Sequence, residues 1–117
     1  MLDMPTIYKI CPTAEWRKAE TEGFFRGSGI DLEDGYIHFS TNEQVVETAA
    51  RHFAGKQDLM LVAVDTDRLG DALKWEPARS GDLFPHLYAP LAVADVLWAN
   101  ALPLGTDGQH HFPVLAE

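Results

Sequence analysis

The sequence has a single cysteine, Cys11, among 117 residues. One thiol cannot form an intramolecular disulfide, and it excludes the cysteine clusters that hold structural zinc. Cys11 follows an alternating stretch and immediately precedes a proline. We therefore expect a buried structural thiol rather than a nucleophile, because no catalytic partner is recognisable beside it.

Basic residues are also scarce. Nine Lys and Arg stand against eighteen Asp and Glu, which gives a formal net charge of −9, and the longest basic run is the pair Arg17-Lys18. Binding to a nucleic-acid backbone needs clustered positive charge. The composition therefore predicts no DNA binding and disfavours RNA. A small-molecule ligand or a protein partner, whose identity the sequence does not give, fits better.

Long apolar runs are missing as well. The longest, Leu59 to Val64, is far too short to span a bilayer, and the N-terminal "MLDMPTIYK" lacks the basic start and apolar stretch of a signal peptide. Because 46% of the residues are hydrophobic, the chain can build a core. We expect one cytoplasmic domain over residues 1–117, with no membrane association.

The pattern of apolar residues predicts an α+β fold with mixed or antiparallel strands and two main helices. Glycines in 23–35 predict an exposed loop, in which Phe24 and Phe25 anchor to the core. Thr13 and Thr41 are the expected helix N-caps, the second with Gln44 in a capping box. The predicted strands are 6–11, 36–40, 58–65, 71–77, 96–104 and a short strand after the turn at 106–112, and 83–91 is expected as a short edge strand or an ordered extended segment. The predicted helices are 12–23 and 42–54.

No standard fingerprint of a phosphate loop, a nucleophile elbow or a zinc site occurs in the chain. Adjacent residues on a strand face opposite ways, so His110 and His111 cannot easily share a metal, and we expect no metal site. Any chemistry must therefore come from residues that the fold gathers.

"GYIHFSTNEQ" is the first candidate segment. Alternation puts Tyr36, His38 and Ser40 on one face of a strand, with Ile37 and Phe39 on the core face. An imidazole beside a hydroxyl suits ligand recognition or proton transfer. The alternative is that Ser40 and the following threonine only start the helix and that His38 is simply exposed.

"LFPHLYAPL" is the second. His86 and Tyr88 share one face of an extended segment whose geometry is restricted by Pro85 and Pro90. In the alternative interpretation, the tyrosine merely packs over a surface strand.

"KWEP" is the third. Trp75 and Glu76 lie on opposite faces of a strand, and Glu76 is either an acceptor facing His86 or His38, or an ordinary surface acid. An aromatic plane beside a carboxylate binds sugar or nicotinamide-like rings in some proteins, but this pairing is common by chance.

The segments "IYKI", "EW", "GYIHFST", "WEP" and "LFPHLYAPL", in this order, resemble a small bacterial family known as domain of unknown function 952. That family is distantly similar to the ADP-ribosyltransferase-like fold, whose members hold NAD between two small splayed β-sheets. The resemblance implies that fold and an NAD-related or ADP-ribosyl ligand.

Residue by residue, the resemblance matches "GYIHFSTNEQVVETAARHF" to the second strand and helix of the ADP-ribosyltransferase-like fold. Tyr8 and Lys9 occupy the first-strand position, with Lys9 where a histidine is expected. His86 occupies the late strand, where NAD-cleaving members carry a carboxylate, and Glu76 is a candidate only if the fold brings it round. Thr41 follows Ser40 in the matched segment and, with Lys9 and Trp75, is a further candidate ligand contact.

Two hypotheses follow. In the first, Tyr8 and Tyr88 bound the base of a nucleotide-like ligand, Ser40 hydrogen-bonds its ribose with His38, and His86 is the acid or base. An ADP-ribosyl transferase is then the enzyme class implied. In the second, a non-catalytic module binds a ligand or a protein through Phe24, Phe25 and the proline-flanked segment, and the two histidines lie far apart or in purely structural bonds. An RNA-processing phosphotransferase of the same fold is disfavoured by the acidity of the chain.

Overall fold

The computed structural model describes residues 6–78 and 81–115, and within these ranges the chain folds as an α+β protein with antiparallel strand pairing. The helices are α1 (Thr13–Glu22), α2 (Ile30–Asp34) and α3 (Val45–His52). The strands are β1 (Thr6–Pro12), β2 (Phe24–Phe25), β3 (Ile37–His38), β4 (Ser40–Thr41), β5 (Leu59–Asp65), β6 (Leu73–Ala78), β7 (Asp82–Leu87), β8 (Leu91–Ala92) and β9 (Val96–Leu102).

A four-stranded sheet in the order β4-β1-β5-β9 forms the centre of the fold. The apolar run that predicted a buried strand is β5, whose residues from Leu59 to Val64 are all buried. Helix α1 covers one face of this sheet through Trp16, which belongs to the cluster that includes the buried thiol of Cys11. Helix α3 covers the other face through Val45. Both faces are therefore apolar, which explains why β5 reads as a continuous hydrophobic run.

Two smaller sheets complete the fold. One pairs β2 with β8, and the other has the order β3-β7-β6. The resemblance implied two sheets, whereas the described residues form three. The alternative that 83–91 forms a short edge strand is also wrong, because β7 is the central strand of its sheet and contains Pro85.

The position of Pro85 explains how a proline fits a central strand. Strand β3 pairs with β7 at Ile37–Leu87 and His38–His86, and at the next position Phe39 donates its N–H to the Pro85 carbonyl at 3.0 Å. Pro85 has no N–H to return, so the ladder ends there.

The chain crosses from one sheet to the other at the end of this ladder. The predicted strand 36–40 is two strands, β3 in the small sheet and β4 in the large one, separated only by Phe39. Strand β4 pairs with β1 at Tyr8–Ser40 and Ile7–Thr41. The core face predicted for Ile37 and Phe39 is correct, since each is 2% exposed.

Several local expectations are also corrected. The segment 24–35 contains β2 and α2 rather than only loop, and while Phe25 is buried, Phe24 is 44% exposed. Thr13 is the first residue of α1, not its N-cap. The last strand is reduced to one bridge, between Leu104 and His110.

The second helix begins later than predicted. Gln44 is the residue before α3 and reaches back to the Thr41 N–H at 3.0 Å. This is one half of the predicted capping box, because no side chain caps the start of the helix. Within the described residues, no helix is both long and apolar enough to cross a membrane.

Candidate functional site

A cleft of about 820 Å³ opens between the large sheet and the three-stranded sheet. It lies where β3 diverges from β1, since β1 has β4 beside it only at Ile7 and Tyr8, and β1 continues to Pro12. The residues that line the cleft include Tyr8, Lys9, Ser28, His38, Ser40, Thr48, Arg51, Lys56, Phe84 and His86.

A buried ion pair forms one wall. The Lys9 Nζ lies 2.7 Å from Asp31 Oδ2, and the two side chains are 8% and 0% exposed. Asp31 also accepts the backbone N–H groups of Ser28 and His38, each at 3.0 Å. Burial by itself raises the pKa of Asp31, but the hydrogen bonds from His38 and Lys9 and the lysine charge outweigh it and lower the pKa to about 2. Asp31 is therefore ionised at neutral pH and holds Lys9 at the cleft.

His38 lies between two carboxylates. Its Nδ1 is 2.7 Å from Asp31 Oδ1, and its Nε2 is 3.0 Å from Asp34 Oδ2. A carboxylate only accepts hydrogen bonds, and a neutral imidazole has only one N–H. With both carboxylates ionised, His38 satisfies both contacts only as the imidazolium cation.

His86 has a different environment. Its Nδ1 is 2.7 Å from Glu76 Oε1, which also accepts the Tyr88 hydroxyl at 2.8 Å. The hydrogen bonds from His86 and then Tyr88 lower the pKa of Glu76, and the same carboxylate raises the pKa of Tyr88 to about 12. An ionised Glu76 fixes the Nδ1–H tautomer, which leaves Nε2 of neutral His86 as a proton acceptor.

The two histidines are direct cross-strand partners, and their ring centroids are 5.2 Å apart. The ring of Tyr36 lies against both, with centroids 4.6 Å from His38 and 4.3 Å from His86. Burial is the first cause that raises the pKa of Tyr36, followed by the charges of Asp34 and Glu76. The phenol therefore stays neutral and acts as a packing surface that holds the imidazoles in place.

A chain of hydroxyls occupies the floor of the cleft. Ser40 Oγ lies 2.8 Å from Thr48 Oγ1, and Thr48 Oγ1 donates to the carbonyl of Gln44 at 3.1 Å. Ser40 is only 3% exposed. The serine predicted to share a role with His38 thus lies on the neighbouring sheet, across the same cleft.

The structure gathers five of the predicted site residues in the lining of the cleft: Tyr8, Lys9, His38, Ser40 and His86. Glu76 does face His86 and lies behind it, outside that lining. Three further residues that were candidates for ligand contacts, as the residue after Ser40, the aromatic ring beside Glu76 and the ring proposed to bound the base, also lie outside it: Thr41 in the short strand β4, Trp75 on the opposite face of β6 from Glu76, and Tyr88, whose hydroxyl donates to Glu76.

Sequence reasoning missed Asp31, Asp34 and Thr48. The two acids lie in α2, within a segment whose glycines predicted only a loop, and no periodicity marked one acid as buried. Thr48 could have been found, because it lies on the α3 helix four residues after Gln44 and so faces the start of that helix. Within residues 6–78 and 81–115 no group of His, Cys, Asp and Glu side chains could hold a metal ion.

Comparison with known proteins gives a family but no activity. The family described as "Protein of unknown function (DUF952)" matches residues 10–99, and no curated protein matches the chain. The crystal structure of Protein CC0527 from Caulobacter crescentus is 49% identical with a TM-score of 0.87, covering 91% of this chain and 93% of that one. The solution NMR structure of CC0527 is 50% identical with a TM-score of 0.80, covering 89% and 90%.

Proposed function

The chain belongs to the DUF952 family, as the order of its short segments predicted, and from the geometry of its cleft we propose that it binds a nucleotide-like ligand of the NAD or ADP-ribose class and exchanges a proton with it through His86. The observation that carries the proposal is the pairing of His38 and His86 at the wall of one cleft, with ring centroids 5.2 Å apart.

The two imidazoles have different hydrogen-bond environments. Carboxylates contact both nitrogens of His38, whereas a carboxylate contacts only Nδ1 of His86, which fixes the Nδ1–H tautomer and leaves Nε2 for a ligand. A base oriented by a carboxylate is the arrangement that general-base catalysis uses. His86 is therefore the proton acceptor in this proposal, and Glu76 orients it.

The charge of the cleft supports a phosphate-bearing ligand. The chain as a whole is acidic, yet Lys9, Arg51 and Lys56 all line the cleft, with Glu15 as the acid among the lining residues. Lys9 pairs with Asp31 and Arg51 with Glu47, each at 2.7 Å, and both of these acids lie outside the lining. Cations that line a concave site favour an anionic group there even on a protein of negative net charge. The resemblance to the ADP-ribosyltransferase-like fold supplies the ligand class, because that fold holds NAD between two sheets.

ADP-ribosyl transfer is the reaction class that this resemblance favours. Glu76, however, bonds to His86 and Tyr88 instead of lining the cleft. We therefore assign proton transfer to His86 and no direct ligand contact to Glu76. The competing hypothesis of a non-catalytic module expected the histidines to be far apart or to make purely structural bonds, and it used an exposed loop with Phe24 and Phe25 together with the proline-flanked segment for docking. Phe24 is exposed and Phe25 is buried, so only one of these two rings is available for docking.

The test is an NMR titration of the labelled protein with ADP-ribose, NAD and nicotinamide, following backbone amides and histidine side chains. We expect shifts at Lys9, His38, Ser40 and His86, and a loss of affinity of about tenfold or more in His86→Asn. The matched control is His111→Asn, which removes an exposed histidine that also lies near a carboxylate, 3.7 Å from Asp107. Absence of shifts in the wild-type protein at millimolar ligand refutes the proposal.

A further inference from the structure

The two hydroxyls at the floor of the cleft satisfy their contacts with each other and with the Gln44 carbonyl in one donor order. Thr48 has one hydroxyl proton, which it donates to the Gln44 carbonyl at 3.1 Å. Either hydroxyl can donate in the 2.8 Å contact between Ser40 and Thr48, and both Thr48 contacts are hydrogen bonds together when the Ser40 proton is used, with Thr48 as the acceptor. In this arrangement Ser40 Oγ has lone pairs, but no proton, to offer a ligand in the cleft.

The second polar group has the same character. His86 uses its Nδ1–H on Glu76, so Nε2 of the neutral ring also offers a lone pair. Two residues from different sheets, both almost fully buried and both lining the cleft, are thus hydrogen-bond acceptors whose protons are committed to partners behind them.

We propose that this acceptor pair makes the cleft selective for a ligand that presents free hydroxyl groups, and that Ser40 is the specificity-determining residue. Resting on the proposed function, this identifies the bound part of the ligand as a ribose with an unsubstituted hydroxyl at the contacted position. A ligand group that only accepts hydrogen bonds would face the lone pairs of Ser40 and His86. These buried acceptors would then have no donor, which weakens binding.

Thr48 acts through Ser40 and is a positioning residue. Thr48→Val keeps the shape of the side chain but removes the acceptor, so the Ser40 proton becomes able to turn toward the ligand. Discrimination against acceptor-only groups should then fall. Thr21→Val is a matched control, because Thr21 makes the same hydrogen bond to the carbonyl four residues earlier, Arg17, on the exposed face of α1.

The experiment measures binding of ADP-ribose and of four analogues, each with fluorine in place of one ribose 2- or 3-hydroxyl, by calorimetry. Fluorine has nearly the size of a hydroxyl but cannot donate. We expect at least one analogue to bind the wild-type protein about tenfold more weakly than ADP-ribose. This ratio should fall toward one in Ser40→Ala and in Thr48→Val, and should be unchanged in Thr21→Val. Amide spectra establish that each variant is folded.

The outcomes separate the two proposals. If ADP-ribose does not bind the wild-type protein, the proposed function itself fails, and the acceptor pair has no ligand of this class. If ADP-ribose binds and all four analogues bind within about twofold of it, the selectivity is overturned and the proposed function stands. A tenfold ratio that persists in both Ser40→Ala and Thr48→Val overturns the assignment to Ser40.

Discussion

Replacing Asp31 with asparagine tests the electrostatic design of the cleft wall. The substitution keeps the size of the side chain but removes the charge that Lys9 contacts at 2.7 Å, in a place where neither side chain has more than 8% exposure. A buried ammonium group then has no counter-ion. Breaking a buried pair by removing one partner costs about 3 kcal/mol or more, and we expect a loss of that size in the free energy of unfolding at pH 7.

The pH dependence of the free energy of unfolding gives a second estimate of what the Asp31 charge contributes to stability. The pKa of Asp31 is about 2 in the folded protein, lowered from 3.8. A carboxyl whose pKa is lower in the folded state stabilises the fold above its unfolded pKa, and this contribution is lost as the pH falls from about 4 toward 2. The difference between the two pKa values corresponds to about 2 kcal/mol, so Asp31→Asn should flatten the acid side of the stability curve by that amount.

The assay is urea unfolding followed by circular dichroism at several pH values from 7 down to the acid limit of the fold. Asp34→Asn is the control, because Asp34 also contacts His38 but is 38% exposed, and removal of an exposed partner should cost less than about 1 kcal/mol. Lys9→Met combined with Asp31→Asn should recover part of the loss. The reasoning is refuted if the free energy of unfolding of Asp31→Asn alone lies within about 1 kcal/mol of the wild-type value and its dependence on pH is unchanged.

Three further predictions concern other parts of the structure. Burial raises the pKa of Cys11 to about 12, so this thiol should resist alkylation at pH 8 in the native protein and react fully in urea; native labelling contradicts its burial. Gly27→Ala should lower the free energy of unfolding by about 1–3 kcal/mol, because Gly27 has φ +116° and its new Cβ would lie 2.8 Å from the Cβ of Asp31. The control is Gly55→Ala, where φ is +74° and the added Cβ has open space, and the expected loss is about 1–2 kcal/mol. Thermal unfolding measures both. Tyr88→Phe removes one of the two donors to Glu76, so the Glu76 pKa should rise in a carboxyl NMR titration; an unchanged value would show that His86 alone sets it.

Strand alternation correctly predicts the faces of several side chains near the cleft. Because side chains alternate along a strand, the pattern in 36–40 correctly separated the core residues Ile37 and Phe39 from His38. The same argument placed His86 and Tyr88 on one face, and both contact Glu76. The face on which a side chain lies is a local property of an extended segment, so the sequence alone predicts it.

Contacts between distant segments were not predictable in this way. Pro85 marks an edge strand in most sheets, but here it is tolerated at the centre because β3 ends at the position where its missing N–H would be needed. Asp31 is surrounded by glycines in sequence and gains its role only from Lys9 and His38, which come from two other elements. Pairings of this kind depend on tertiary structure and have no periodic signature.

The cleft exists because one extended segment pairs with two different strands, β7 through β3 and β1 through β4. Continued pairing of β4 with β1 would place Phe39 opposite Lys9 and His38 opposite Ile10, and a continuous sheet would fill the gap. Pairing with β7 draws the chain away instead, and the ladder to β7 stops at Pro85. The width of the opening is therefore set by where two ladders end, and a substitution at Pro85, which does not line the cleft, can alter it without changing any side chain that a ligand would touch.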